Sequence, residues 1–177
     1  DGKYLAYSIS RSGSDWNEIY VMDMNTLQLL PDHIKWIKFS PIAWHKDGFF
    51  YSAFKPEEGK ELSAMNEYHT VYYHKLGTDT ENDTKVYCNS EHSRRYVRAI
   101  VSDDKNYLII EESAGTAGVA LYVQDLTRDN APITRIIDGY DYEESMKHDG
   151  YSLAQRFWFK PTGTGCYVWT RTYPVER

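Results

Sequence analysis

The sequence predicts an all-β fold, a β-propeller fragment of three to four blades, each a four-stranded antiparallel sheet. Three observations lead there. Apolar and polar residues alternate with period 2 along most of the chain, the pattern of half-buried strands. An Asp-led turn followed at once by an apolar strand recurs at "DGKYLAYS" (1–8), "KDGFFYS" (46–52) and "DDKNYLII" (103–110). A tyrosine-centred strand follows each of them, at "EIYVMD" (18–23), "TVYYHKL" (70–76) and "ALYVQDL" (120–126). The aligned Tyr20, Tyr72 and Tyr122 stand about 50 residues apart, the length of one blade.

Each element has a local cause. The first unit, residues 1–35, begins at an Asp-Gly turn, where Asp bonds its own backbone and Gly accepts a positive φ. Its strand runs into "GSDW" (13–16), a cluster that closes a hairpin onto "EIYVMD" and makes Trp16 a packing anchor beside the turn. In the second unit, 36–90, "SPIAWH" (40–45) is the inner strand and "KDG" turns it back into "FFYS". The loop "KPEEGKELSAMNEYH" (55–69) then leads to "TVYYHKL", with 84–88 outermost. The third unit, 91–138, repeats this order with "YVRAIVS" (96–102) inside, "SAGTAG" (113–118) as the loop and 133–137 outside. The fourth, 139–177, holds two aromatic strands in "RFWFKPTGTGCYVWTRTYPVER". Proline interrupts a central ladder, so Pro161 belongs in their connection.

By this division the first unit lacks an inner strand and the last its outer ones. With Asp1 where an initiator Met would stand, the chain reads as cut at the front. A complete small ring and a β-sandwich are the competing architectures, and the sandwich predicts no recurrence near 50 residues. An open fan of blades exposes strand edges, so isolated chains are expected to associate edge to edge.

Of the 177 residues only 41% are apolar, but 5 Trp, 16 Tyr and 6 Phe are present, so much of the core is built from amphipathic rings. A net charge of -6 without a basic stripe argues against nucleic acid or an anionic membrane as partner. No apolar run approaches the length of a membrane helix. Cys88 and Cys166 lack zinc-finger spacing and read as free, partly buried thiols of a reducing, cytoplasmic compartment.

Catalytic motifs are missing, and neither a cofactor nor a metal is expected. There is no G-x-S-x-G elbow, and Ser14, beside Asp15, has no histidine near it and sits between two strands. His33, His45, His69, His74, His92 and His148 form no H-E-x-x-H pair; His45 and His74 read as packing or surface residues. Glu57-Glu58, Glu111-Glu112 and Glu143-Glu144 read as solvated faces, because neighbours on a strand point to opposite sides. "GTAG" and "GTG" do not continue as phosphate loops.

"DGKYLAYSISRSGSDWNEIYVMD" (1–23) resembles the N-terminal propeller of the prolyl oligopeptidase (prolyl endopeptidase) family, serine peptidases that cut short peptides after proline. "LPDHIKWIKFSPIAWHKDGFFYS" (30–52), "VYYHKLGTDTENDTKVY" (71–87) and "VSDDKNYLIIEE" (101–112) follow in the family's order. The resemblance is continuous over 1–126 and weaker to 175. It implies a seven-bladed parent propeller with an open channel, capping an α/β-hydrolase domain of the same parent chain and admitting oligopeptide substrates. Nothing here matches the hydrolase half, so the chain alone is expected to be inactive. A partial-propeller binding or scaffold protein without peptidase activity is the alternative reading.

The resemblance also implies three residues at the rim of the substrate pocket, Phe39 in "IKFS", Tyr96 in "RRYVRA" and Thr116 in "SAGTAG". An aromatic at Phe39 serves either substrate contact or blade core. Around Tyr96 the family's usual Trp and paired glycines are missing, and Ser113 stands where mammalian members often carry a substrate-binding Arg.

Overall fold

The computed structural model describes residues 2–11, 13–54, 66–115, 117–137, 152–162 and 165–175. They fall into two compact units, 1–100 and 101–177.

The first unit opens with an antiparallel meander of β1 (Tyr4–Ser10), β2 (Asn17–Asp23) and β3 (Gln28–Ile37). Gly13 has a φ of 70°, and Ser14 accepts the Trp16 amide at 3.1 Å, so this serine is a turn former. Asp23 makes the next turn, taking the amides of Asn25 at 2.8 Å and Thr26 at 3.3 Å. Alternation puts Ile19 and Val21 inside, both fully buried. The β2–β3 register slips twice, once around Pro31 and once where Trp36 takes a φ of 63°. Proline cannot donate to the ladder, and the slip turns Asp32 inward on the same side as Ile34.

β4 (Ala43–His45) and β5 (Gly48–Ala53) form a tight hairpin, and β6 (Thr70–Lys75) and β7 (Thr84–Cys88) continue the sheet. Every residue of β5 is buried. The end of β3 joins the β4 side of β5 through Ile37 and Ala53, giving the order β1-β2-β3-β5-β6-β7 with β4 beside β5. A short 3-10 turn at Thr80–Asn82 is capped by Asp79, which accepts the Glu81 amide at 3.1 Å. The core packs Ile19, Val21, Ile34 and Ile37 against Phe49, Tyr51 and Ala53. Free energy comes from this apolar contact, at roughly 25 cal/mol for each Å² removed from water.

β8 (Tyr96–Val101) ends at the division, and β9 (Tyr107–Ala114), β10 (Ala117–Asp125) and β11 (Thr134–Ile137) follow, in the order β11-β10-β9-β8. Asp104 builds the Asp-led turn between β8 and β9, accepting from the Ser102 hydroxyl at 2.6 Å and the Asn106 amide at 3.1 Å. One expectation fails here. Glu112 is fully buried rather than solvated, because it alternates in phase with the buried Leu108 and Ile110. Glu57, Glu58, Glu143 and Glu144 lie outside the described residues.

The chain ends in a two-stranded hairpin of β12 (Ser152–Thr162) and β13 (Gly165–Val175). Pro161 lies within β12, opposite Cys166, and not in the connection. Both strands of a two-stranded sheet have an open edge, where a missing amide donor breaks no ladder.

Candidate functional site

Phe39 follows β3 in a turn that the sequence does not announce. Its φ is 53°, a left-handed conformation that costs a bulky residue on the order of 1 kcal/mol. Hydrogen bonds on both sides hold it there. The Ser40 hydroxyl accepts the Ser52 amide at 2.7 Å and donates to the Pro41 carbonyl at 2.8 Å. On the other side His69 Nε2 bonds the Lys38 carbonyl at 2.9 Å.

Held this way, the Phe39 ring is 54% exposed and stands outside the core that the described residues form. It meets Tyr96 edge to face, with centroids 5.1 Å apart. Tyr96 opens β8, half-buried, so the two rings come together from distant points of the sequence, both within the first unit. Thr116 lies outside the described residues.

Beneath this pair the rings continue. Tyr96 faces the edge of Phe54 at 6.4 Å and of His69 at 6.0 Å, and Phe54 stacks on His69 at 4.5 Å. Trp16 meets Phe54 at 6.0 Å and Trp36 at 5.6 Å, both edge on. The Lys38 ammonium lies 5.4 Å from the Phe39 centroid and 5.2 Å from that of Trp16, beside Asp15 at 3.4 Å. Phe54 and His69 are buried, while Phe39 is exposed.

Such a surface presents an apolar aromatic face of the kind that suits rings and aliphatic chains. It offers no activated nucleophile. Among the described residues no three of His, Cys, Asp and Glu are grouped to hold a metal ion. An open groove of about 360 Å³ lies elsewhere, lined by His33, Ile34, Lys35, Trp36, Tyr51, Thr80 and Glu81, and includes neither Phe39 nor Tyr96.

Two buried histidines do more than the sequence reading gave them, and their partners leave one neutral and the other charged. His69 Nδ1 accepts the Val97 amide at 3.0 Å while Nε2 bonds a carbonyl, an arrangement only the neutral ring can make. Burial, against a smaller opposing effect of the Lys38 carbonyl, pushes its pKa down to about 4. His74 lies between carboxylates instead, with Nδ1 2.8 Å from Asp83 and Nε2 2.9 Å from Asp32. Asp83 also takes the Tyr51 hydroxyl at 2.6 Å, and Asp32 the Gly77 amide at 2.6 Å. Burial works against charge on His74, but the bonds to Asp83 and Asp32 outweigh it and raise its pKa. As isolated histidines at strand ends, neither stood out by spacing.

The model of the family described as "Prolyl oligopeptidase, N-terminal beta-propeller domain" matches residues 1–169. The chain is 43% identical over 142 residues to a prolyl endopeptidase of Elizabethkingia meningoseptica, a match covering 79% of this chain and 20% of that protein. It is 40% identical over 133 residues to prolyl oligopeptidase A of Galerina marginata, covering 62% of this chain and 17% of the relative. Among solved structures, prolyl oligopeptidase B from Galerina marginata bound to a 35mer hydrolysis and macrocyclization substrate superposes with a TM-score of 0.76 at 27% identity. That likeness covers 96% of this chain and 24% of the other. The chain therefore spans about one sixth to one quarter of the length of these proteins.

Proposed function

This chain belongs to the prolyl oligopeptidase family, as its N-terminal β-propeller domain, and on that premise we propose that it gates a serine peptidase hydrolysing prolyl bonds in oligopeptides. The matched domain is the non-catalytic one, and the serine-hydrolase domain is not within these 177 residues. In the parent, a serine activated by histidine forms an acyl-enzyme while backbone donors stabilise the oxyanion. The propeller's share is access and a wall of the pocket. Its partners are the α/β-hydrolase domain of the same parent chain and, through it, an oligopeptide; nucleic acid and membrane are not among them. In this reading the blades divide at 1–35, 36–90, 91–138 and 139–177, the first boundary falling two residues before the end of β3.

Phe39, Tyr96 and Thr116 form the pocket rim in this reading, the last by family correspondence alone. The observation that carries it is an aromatic ring held out at 54% exposure by a strained, hydrogen-bonded turn. A protein gains nothing for its core from that arrangement. A ring fixed in advance gives a substrate's proline or aliphatic chain an apolar face, worth about 1 kcal/mol, without an ordering cost.

The pure chain, incubated with a fluorogenic proline peptide, is expected to show no turnover; serine-dependent turnover would overturn the assignment. In the frame that includes the hydrolase, Phe39→Ala should raise KM about fivefold, the equivalent of that 1 kcal/mol, with kcat little changed. An unchanged KM would remove Phe39 from the rim.

No helix among the described residues is long and apolar enough to cross a membrane, and Cys88 carries a free thiol. The free thiol suits a reducing, cytoplasmic setting. β1 lies at one edge of its sheet with Leu5 46% and Ile9 38% exposed. Such an edge is a template for pairing. Light scattering over a concentration series is expected to show association of isolated chains, and a monodisperse monomer throughout would count against it.

A further inference from the structure

We propose that His69 is the positioning residue of this rim, fixing how the Phe39 and Tyr96 rings meet. It packs edge to face with the Tyr96 ring, centroids 6.0 Å apart, and makes no ring contact with Phe39 among those observed. It also joins the backbone on which each is mounted. Nε2 bonds the carbonyl of Lys38, the residue just before Phe39, at 2.9 Å, and Nδ1 bonds the amide of Val97, the residue just after Tyr96, at 3.0 Å.

The chemistry is restrictive. A peptide N–H only donates and a peptide carbonyl only accepts, so the bridge needs one acceptor and one donor set apart on a rigid frame. Neutral imidazole with its proton on Nε2 supplies both. A protonated ring turns Nδ1 into a donor facing a donor, and the Val97 bond is lost. The ring is 1% exposed and stacked on Phe54 at 4.5 Å, so it cannot swing to other partners.

Its own backbone is fixed as well. The Tyr68 amide donates to the Ser93 carbonyl at 2.6 Å, and the Thr70 hydroxyl to the Tyr68 carbonyl at 2.7 Å. Around the ring, Tyr96 is the titratable side chain packed against it, while the Lys38 ammonium is directed to Asp15, Trp16 and Phe39. With the pKa held near 4, the bridge is intact at neutral pH and is lost as pH falls through that value.

The proposal rests on the rim reading of Phe39 and Tyr96, but its test does not. In the ¹⁵N-labelled chain, long-range proton-nitrogen correlations should show the Nε2–H tautomer of His69 at pH 7. His69→Leu should abolish the Phe39–Tyr96 ring contact and speed Val97 amide exchange at least tenfold, leaving the Ile19 and Ile34 amides protected. His69→Gln, which keeps a donor and an acceptor, should restore much of both. Intact ring contacts in His69→Leu would overturn the proposal, and so would loss of protection throughout the unit in His69→Gln, since that marks a general structural role. Where His69→Leu does not fold, taking the wild type from pH 7 to 4 gives the same reading, with selective Val97 exposure expected and uniform opening contrary. A broken bridge in His69→Leu combined with an unchanged KM in Phe39→Ala would sink the rim and leave the bridge standing.

Discussion

Gly48→Ala is expected to destabilise the chain by about 3 kcal/mol or more, a large part of what a domain of this size has. Gly48 begins β5 and is flanked by backbone on both edges, His45 of β4 on one and Lys75 of β6 on the other. A Cβ built there falls well inside contact distance of the His74 carbonyl oxygen, and 2.9 Å from both the His74 carbonyl carbon and Tyr73 Cζ. A flexible side chain could retreat, but the strand backbone retreats only by parting β5 from β6. The same movement disturbs the fully buried Phe49 and Tyr51.

Gly13→Ala is the control, since Gly13 has a φ of 70° but open space where a Cβ would stand. It should cost roughly 1 kcal/mol, from backbone conformation alone. Urea denaturation of both variants separates the causes. A Gly48→Ala midpoint equal to that of Gly13→Ala would refute the steric argument.

His74→Leu is expected to cost about 3–5 kcal/mol, because it strands two carboxylates that now share one cation. With carboxylates at both ring nitrogens, 2.8 and 2.9 Å away, His74 must donate twice and is an imidazolium. The side chains of all three partners are excluded from solvent. Leucine fills the space but leaves Asp32 and Asp83 without their shared cation. Changing the set together, as Asp32→Asn, His74→Leu and Asp83→Asn, should cost less than His74→Leu alone, because no charge is then left unpaired. A triple variant weaker than the single one would contradict this account.

The pH dependence carries a sign for each histidine. The folded pKa of His74 lies above the ordinary 6.5, so its contribution is complete below 6.5 and is lost as pH rises through the folded value. His69 runs the other way. Its folded pKa is about 4, so its contribution is present above 6.5 and falls away as pH drops towards 4. At 1.36 kcal/mol for each pH unit, the His69 share is about 3 kcal/mol. Denaturation midpoints between pH 4 and 9 should therefore pass through a maximum near the ordinary histidine pKa. Removing His74 together with both carboxylates, in the triple variant, should flatten the alkaline limb and spare the acidic one.

Strands and turns were legible because their causes are local. Alternation in "NEIYVMD" is enough to bury Ile19 and Val21, and Asp23 or Asp104 closes a turn with amides two or three residues away. The recurrence near 50 residues was enough for the all-β class, and the resemblance of residues 1–126 for the family. Local rules were less reliable where two fit equally well. Glu111-Glu112 looked like a solvated pair until the phase of β9 turned Glu112 inward, and Pro161 looked like a connector until the hairpin offered it an open edge.

Phe39 marks the limit more sharply. Its sequence context suits a buried ring and an exposed ring alike, and its exposure follows from Ser40, Ser52 and His69 holding a left-handed turn. His69 and His74 are equivalent in the sequence, each beside a tyrosine at one end of β6. Folding places the first between a carbonyl and an amide, one of them 31 positions away, and the second between carboxylates, one of them 42 positions away. One becomes neutral and the other charged. Sequence by itself determined where most of this chain's strands form, β3 (Gln28–Ile37) excepted, since alternation and turn chemistry act between near neighbours; the tertiary structure alone decided which rings face outward and which histidine holds a proton, because those depend on partners that only folding brings into contact.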